Sequence, residues 1–116
     1  ENLQRLYLNG TQIMDISPLR DLKKLKRLTI NNGNITDISV ISNMTLLEQL
    51  DISFSPVKDV AFLSNLRHLV VVDMRETEVS DISFLENCRQ LNAIYISKDA
   101  RINYGSMYNR PCLRLM

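Results

Sequence analysis

The chain of 116 residues has little of what usually bends a polypeptide: three Gly and three Pro. That is too few for a turn-rich all-β domain, in which these two residues supply the special backbone angles of tight turns. It also has no excess of charge of one sign. Fourteen Lys and Arg stand against thirteen Asp and Glu, a formal net charge of +1. Dedicated nucleic-acid and acidic-lipid binders carry basic patches or stripes, so this balance argues against both. No apolar run approaches the roughly 18 residues of a membrane span. There is no starting Met and no signal-peptide pattern. With 45% hydrophobic and 23% charged residues, the composition is globular rather than disordered or collagen-like. The length fits one domain or part of one.

What turns the chain is a repeat. Leu3, Leu25, Leu47, Leu69 and Leu91 follow one another at a spacing of 22, as do Leu6, Leu28, Leu50, Val72 and Ile94. Leu8, Ile30, Ile52, Met74 and Ile96 form a third column. Four further apolar columns start at Ile13, Ile16, Leu19 and Leu22 and hold the same register. Within a unit, the segment x-L-x-L has period two, the mark of a short strand with one buried face. The later apolar residues recur every three positions, which suits a 3₁₀ or short α turn. One unit cannot bury its apolar face alone, but stacked units can. The expectation is an α/β solenoid with right-handed coils. Its parallel strand ladder lies on the concave side and its 3₁₀ or short helical turns on the convex side. Five units of 22 fill residues 1 to 110, and residues 111 to 116 start a sixth strand or a cap. Because Glu1 precedes a strand without a cap, further N-terminal sequence is expected in the full protein.

These columns resemble the leucine-rich repeat superfamily in its 22-residue class. The string IMDISPLRDLKKL, residues 13 to 25, is similar to the repeats of bacterial internalins. A regulatory subunit of protein phosphatase 1 belongs to the same class. The resemblance covers residues 1 to about 99 and implies a binding role. It also implies a secreted or surface-exposed location, with a cytoplasmic one as the alternative. The superfamily usually has an Asn that bonds the backbone of neighbouring coils. Thr11, Gly33, Ser55, Thr77 and Asp99 stand in that column here. Thr and Ser can replace part of its bonding with a hydroxyl, whereas Gly33 has no side chain to do so.

Two polar columns read as turn chemistry. Asp15, Asp37, Asp59 and Asp81 stand where the chain enters the helical return, so each is expected to accept backbone N–H groups as Asx turns and N-caps do. The alternative, a ladder of carboxylates holding cations, is the weaker reading. Ser17 and Pro18 fit an N-cap and the first helical position. Asp21, Asn43, Asn65 and Asn87 are expected to adopt the left-handed conformation that ends such turns.

Function is expected on the outward strand positions, which alternate with the buried Leu and Ile. Three columns result: Arg5, Arg27, Gln49, Val71, Ala93; Tyr7, Thr29, Asp51, Asp73, Tyr95; and Asn9, Asn31, Ser53, Arg75, Ser97. They repeat no single residue type, so they can encode specificity, and Tyr and Arg are common interface anchors. The candidate partner-binding residues are Arg5, Tyr7, Arg27, Asp51, Phe54, Asp73, Arg75 and Tyr95. Asp51 and Asp73 form either an acidic spot for a basic side chain or a solvated charged face, with Arg75 and Arg27 expected to offset them. Phe54, just past a strand end, either contacts a partner or covers the bend. Phe62 and Phe84 are expected to cover coil junctions.

No catalytic, metal or cofactor site is read. His68 stands alone and is expected on the surface. Cys88 replaces an apolar core residue, and Cys112 lies 24 residues on; a disulfide between them stays open. Two cysteines do not make a zinc site. Asn9, Asn34 and Asn43 fit the N-glycosylation acceptor pattern weakly. After Ile96 the pattern decays, and Ile102 takes the place expected at 101. Residues 103 to 111 leave the unit, yet Leu113 and Met116 lie 22 beyond Leu91 and Ile94. Tyr104, Met107 and Tyr108 are expected to shield the end. The reading is a protein-binding module that uses its concave face, with no nucleic acid, membrane insertion or small-molecule substrate. The alternative is the sensor or substrate-recognition segment of a larger enzyme or signalling protein.

Overall fold

The computed structural model describes residues 2–10 and 12–116. Six short strands form one parallel sheet in sequence order: β1 (Arg5–Tyr7), β2 (Arg27–Thr29), β3 (Gln49–Asp51), β4 (Val71–Asp73), β5 (Ala93–Ile96) and β6 (Leu113–Leu115). Each strand returns to the next through a 3₁₀ turn, at Ser17–Asp21, Ser39–Asn43, Ala61–Asn65, Ser83–Asn87 and Gly105–Asn109. The chain is therefore a leucine-rich repeat solenoid, strands on one side and 3₁₀ turns on the other. Strands and turns touch only their counterparts in adjacent coils, apart from β6 against the last turn. No helix among the described residues is long and apolar enough to cross a membrane.

The period of three is a backbone fact as much as a side-chain one. In the second coil Ile41 N–H donates to the Ile38 carbonyl, Met44 to Ile41 and Leu47 to Met44. The same run recurs in the third and fourth coils from Val60 and Ile82. Each hydrogen bond spans three residues, so all four apolar side chains project to one side. Ile38, Ile41, Met44 and Leu47 are completely or nearly buried. Leu28 and Ile30 enter the same core from β2 and its end. In the first coil Leu3 and Ile13 stay exposed, as only one neighbouring coil covers them.

Asp15, Asp37 and Asp81 each accept the N–H of the Ser two residues on, and Asp59 accepts that of Ala61, all at 2.8–3.1 Å. These are Asx turns. The expected Ser N-cap is corrected by one position. Ile16 is the capping residue of the first turn, Ser17 and Pro18 are its first two helical residues, and no side chain caps it. Asp15, one residue before Ile16, accepts the Ser17 N–H in its Asx turn instead.

The left-handed column is also corrected. Among the described residues positive φ occurs at Gly10, Asn32, Phe54 and Glu76, and at Gly105 where the last 3₁₀ turn begins, between 54° and 62°, and not at Asp21, Asn43, Asn65 or Asn87. Gly105 apart, the bend thus sits just after each of the first four strands, where the ladder ends. Asn32, Phe54 and Gly10 each donate their N–H to the next coil, to Ser53, Arg75 and Asn31 respectively. These bonds impose the angle, and the side chains face solvent.

In the column that usually carries Asn, Ser55 is buried. Its hydroxyl donates to the Ile30 carbonyl at 3.2 Å and accepts the Gly33 N–H at 3.4 Å. Gly33 takes part through its backbone, and Ser55 joins two coils. Thr77 bonds only within its own coil, to the Met74 carbonyl at 2.8 Å. Thr11 lies outside the described residues.

The last coil departs from the expectation in two ways. The segment at 103 to 111 does not leave the unit: its 3₁₀ turn stands 22 residues after the previous one. Met107 donates to Tyr104, Arg110 to Met107 and Leu113 to Arg110, repeating the earlier runs. Met107 is fully buried and Tyr104 half-buried, while Tyr108 is exposed with its ring edge-on to Tyr104 at 5.5 Å. The strand register then changes. Leu113 pairs with Ile94, and Leu115 with Ile96, so this coil reaches the ladder after 19 residues instead of 22. Arg110 replaces an apolar residue, and its guanidinium donates to the carbonyls of Leu85, Glu86 and Cys88 at 3.1–3.2 Å. Glu86 in turn accepts the Ser106 N–H and hydroxyl. Both cysteines are buried and free.

Candidate functional site

The parallel register sets the outward columns side by side. Arg5 faces Arg27, Tyr7 faces Thr29, Thr29 faces Asp51, Asp51 faces Asp73 and Asp73 faces Tyr95. The final register extends the central row to Arg114. Tyr7, Arg27, Asp51, Asp73 and Tyr95 line one shallow groove of about 240 Å³ on this face, with Gln49 and Val71 between them. Arg5 is exposed beside the groove, on the outermost strand. Phe54 is 49% exposed at the left-handed bend beyond β3, on the rim and outside the groove lining.

Two expected members of the exposed columns are corrected. Ser53 and Ala93 are buried. Ser53 is occupied by Asp51, whose Oδ1 accepts its N–H at 2.9 Å and its hydroxyl at 2.6 Å.

Asp73 is held differently. Arg75 donates to it through Nε at 2.9 Å and a terminal nitrogen at 2.7 Å, and through its own N–H at 3.1 Å. The pairing with Asp73 raises the Arg75 pKa above its already high value, with smaller help from Asp51 and Tyr95. The two neighbouring carboxylates are therefore not equivalent. One is neutralised by a forked arginine two residues on, and the other is held by hydrogen bonds alone. Asn31 approaches Asp51 Oδ2 at 3.4 Å. Arg75 thus offsets Asp73 as expected, a spacing of two on a strand putting both groups on one face, whereas among the described residues Arg27, also expected to offset the acids, pairs with neither.

Elsewhere, Phe62 and Phe84 are half-buried against the core between turns. His68 is exposed. Among the described residues no group of three or more His, Cys, Asp or Glu could hold a metal ion.

Residues 1–43 match a family model described as leucine rich repeats in two copies. No curated protein matches the chain. Among solved structures it is similar to internalin C2 of Listeria monocytogenes, with 34% identity over 83% of this chain and a TM-score of 0.77. The internalin InlF of the same organism has 22% identity over 86% of the chain and a TM-score of 0.70. The functional domain of InlJ, described with a cysteine ladder, has 21% identity over 90% and a TM-score of 0.77. The chain spans 42%, 36% and 24% of these three proteins. A 22-residue apolar register, six parallel strands in sequence order and these matches agree: the chain belongs to the leucine-rich repeat superfamily.

Proposed function

We propose that this segment is a protein-binding module that recognises its partner through the concave face of the ladder. One observation carries the reading. The core columns hold their type from coil to coil, whereas the row Tyr7, Thr29, Asp51, Asp73, Tyr95 changes at nearly every step and lines a groove. A regular scaffold with varied outward side chains separates the task of folding from the task of recognition. Tyrosines stand at both ends of the groove and Arg27 in its wall, residue types that anchor interfaces at little cost in lost side-chain freedom. Phe54 supplies an apolar group at the rim, and Arg5 and Arg75 supply charge.

The test replaces Tyr7, Asp73, Arg75 and Tyr95 by Ala together and measures partner capture from native lysate or surface extract, with circular dichroism to establish the fold. Loss of a captured protein with the fold retained is the expected result. Unchanged capture by a folded variant sinks the concave-face reading.

A further inference from the structure

One corner of the concave face is electrostatically unbalanced. Arg5 and Arg27 are register partners on β1 and β2, so their backbones lie roughly 4.8 Å apart and their side chains leave the same face. Like charges directly opposed on a sheet are unfavourable. On the neighbouring strands charge is met locally: Arg75 forks onto Asp73, and Asp51 takes the Ser53 N–H and hydroxyl. The arginine pair has no such answer. Among the described residues neither guanidinium has an ion-pair or hydrogen-bond partner. Neither β1 nor β2 contains an acid, and the row continues as Gln49, Val71 and Ala93. Tyr7 and Thr29 stand one outward position further along the same two strands and add hydroxyl donors.

Resting on the concave-face reading above, we infer that the β1–β2 corner receives the carboxylates of an acidic segment of the partner protein. The planar arginine fork matches a carboxylate in two-point geometry, and two forks side by side match a short acidic run. Asp51, which no cation neutralises among the described residues, stands on the next strand and repels the same segment. The charge order along the groove therefore fixes which end of the partner lies over β1–β2, by attraction at one end and repulsion in the middle.

The experiment titrates the ¹⁵N-labelled 116-residue protein with a capped triglutamate peptide at low salt. A capped trilysine peptide and inorganic phosphate form parallel arms. The expected result is that triglutamate shifts the amides of Arg5 to Tyr7 and Arg27 to Thr29, and that added salt reverses the shifts. R27Q is expected to weaken this binding about tenfold, the scale of one charge-assisted contact. R5E/R27E is expected to lose triglutamate and gain trilysine at the same amides. No shift on β1–β2 overturns the proposal, and so does equal triglutamate binding by R27Q. Phosphate binding there without triglutamate binding overturns it as well, by assigning the corner to a different anion. If the double variant fails to fold, R27Q alone decides. Should triglutamate fail while the four-Ala variant still loses its partner, the acidic-segment inference falls and the concave-face reading stands.

Discussion

Replacing Ser55 by Ala tests whether a single hydroxyl substitutes for the longer side chain usual in its column. Ser55 is 2% exposed, and its hydroxyl is the group shown to satisfy the carbonyl of the fully buried Ile30. Ala removes no packing volume beyond one oxygen. The cost is therefore set by what the carbonyl loses. An orphaned buried acceptor costs about 1–3 kcal/mol. The Gly33 N–H bond, at 3.4 Å and part-exposed, adds little, because water can replace it. The expected destabilisation is about 1–3 kcal/mol, measured by urea unfolding followed by far-ultraviolet circular dichroism. A matched control is Ser64→Ala, whose exposed hydroxyl donates to Ala61 in its own turn and which should cost about 0.5 kcal/mol or less. Hydrogen exchange at Gly33 should speed up in S55A and stay unchanged in S64A. If S55A is no less stable than S64A, the inter-coil bridge does not stabilise this fold.

Three other predictions follow from the same structure. Leu63→Ala, at a fully buried site, should cost about 2–5 kcal/mol in urea unfolding, and a loss below 1 kcal/mol would contradict the packed core. Arg110→Met should leave the first four coils intact while speeding hydrogen exchange at Leu113 and Met116, since the guanidinium ties the last coil to the carbonyls of Leu85, Glu86 and Cys88; unchanged exchange would refute the clamp. Asp15 and Asp37 should titrate below the ordinary aspartate value because each accepts a backbone N–H, and Asp81 because it accepts the Ser83 hydroxyl and N–H. A depressed folded-state pKa means that this stabilisation is complete above the ordinary value and is lost as pH falls below it towards the folded value. Carboxyl chemical shifts recorded by NMR against pH check this, and ordinary midpoints would refute it.

Much of the core was legible because burial constrains residue type. Leu28, Leu50, Val72 and Ile94 must all be apolar to fill the same layer. The left-handed bend was not legible for the opposite reason. Gly10, Asn32, Phe54 and Glu76 share no chemistry, because hydrogen bonds of their N–H groups to the next coil, to a carbonyl in the first three and to the Ser97 hydroxyl in Glu76, hold their backbone angle while the residues are exposed. The Asn column at the turn ends drew attention instead, since Asn is often a marker of positive φ. Arg110 concealed the last turn: a charged residue broke the apolar column, although its stem can run along the core while its head binds carbonyls. In the candidate site the outward rows followed directly from the strand period. The burial of Ser53 and Ala93 did not, because the strand period fixes which way a side chain points and not how far it reaches into solvent.

Because each strand and turn touches only its counterparts in the coils beside it, the protein should respond to a pulling force as a stack rather than as a globule. Tension on the C-terminus must first peel β6 from β5 and then break the Arg110 clamp. After that, every coil released frees about 75 Å of chain, the extended length of one repeat, and leaves the next coil as a new end. The 22-residue period would then appear as a staircase in extension, with its first step guarded by three hydrogen bonds from one side chain.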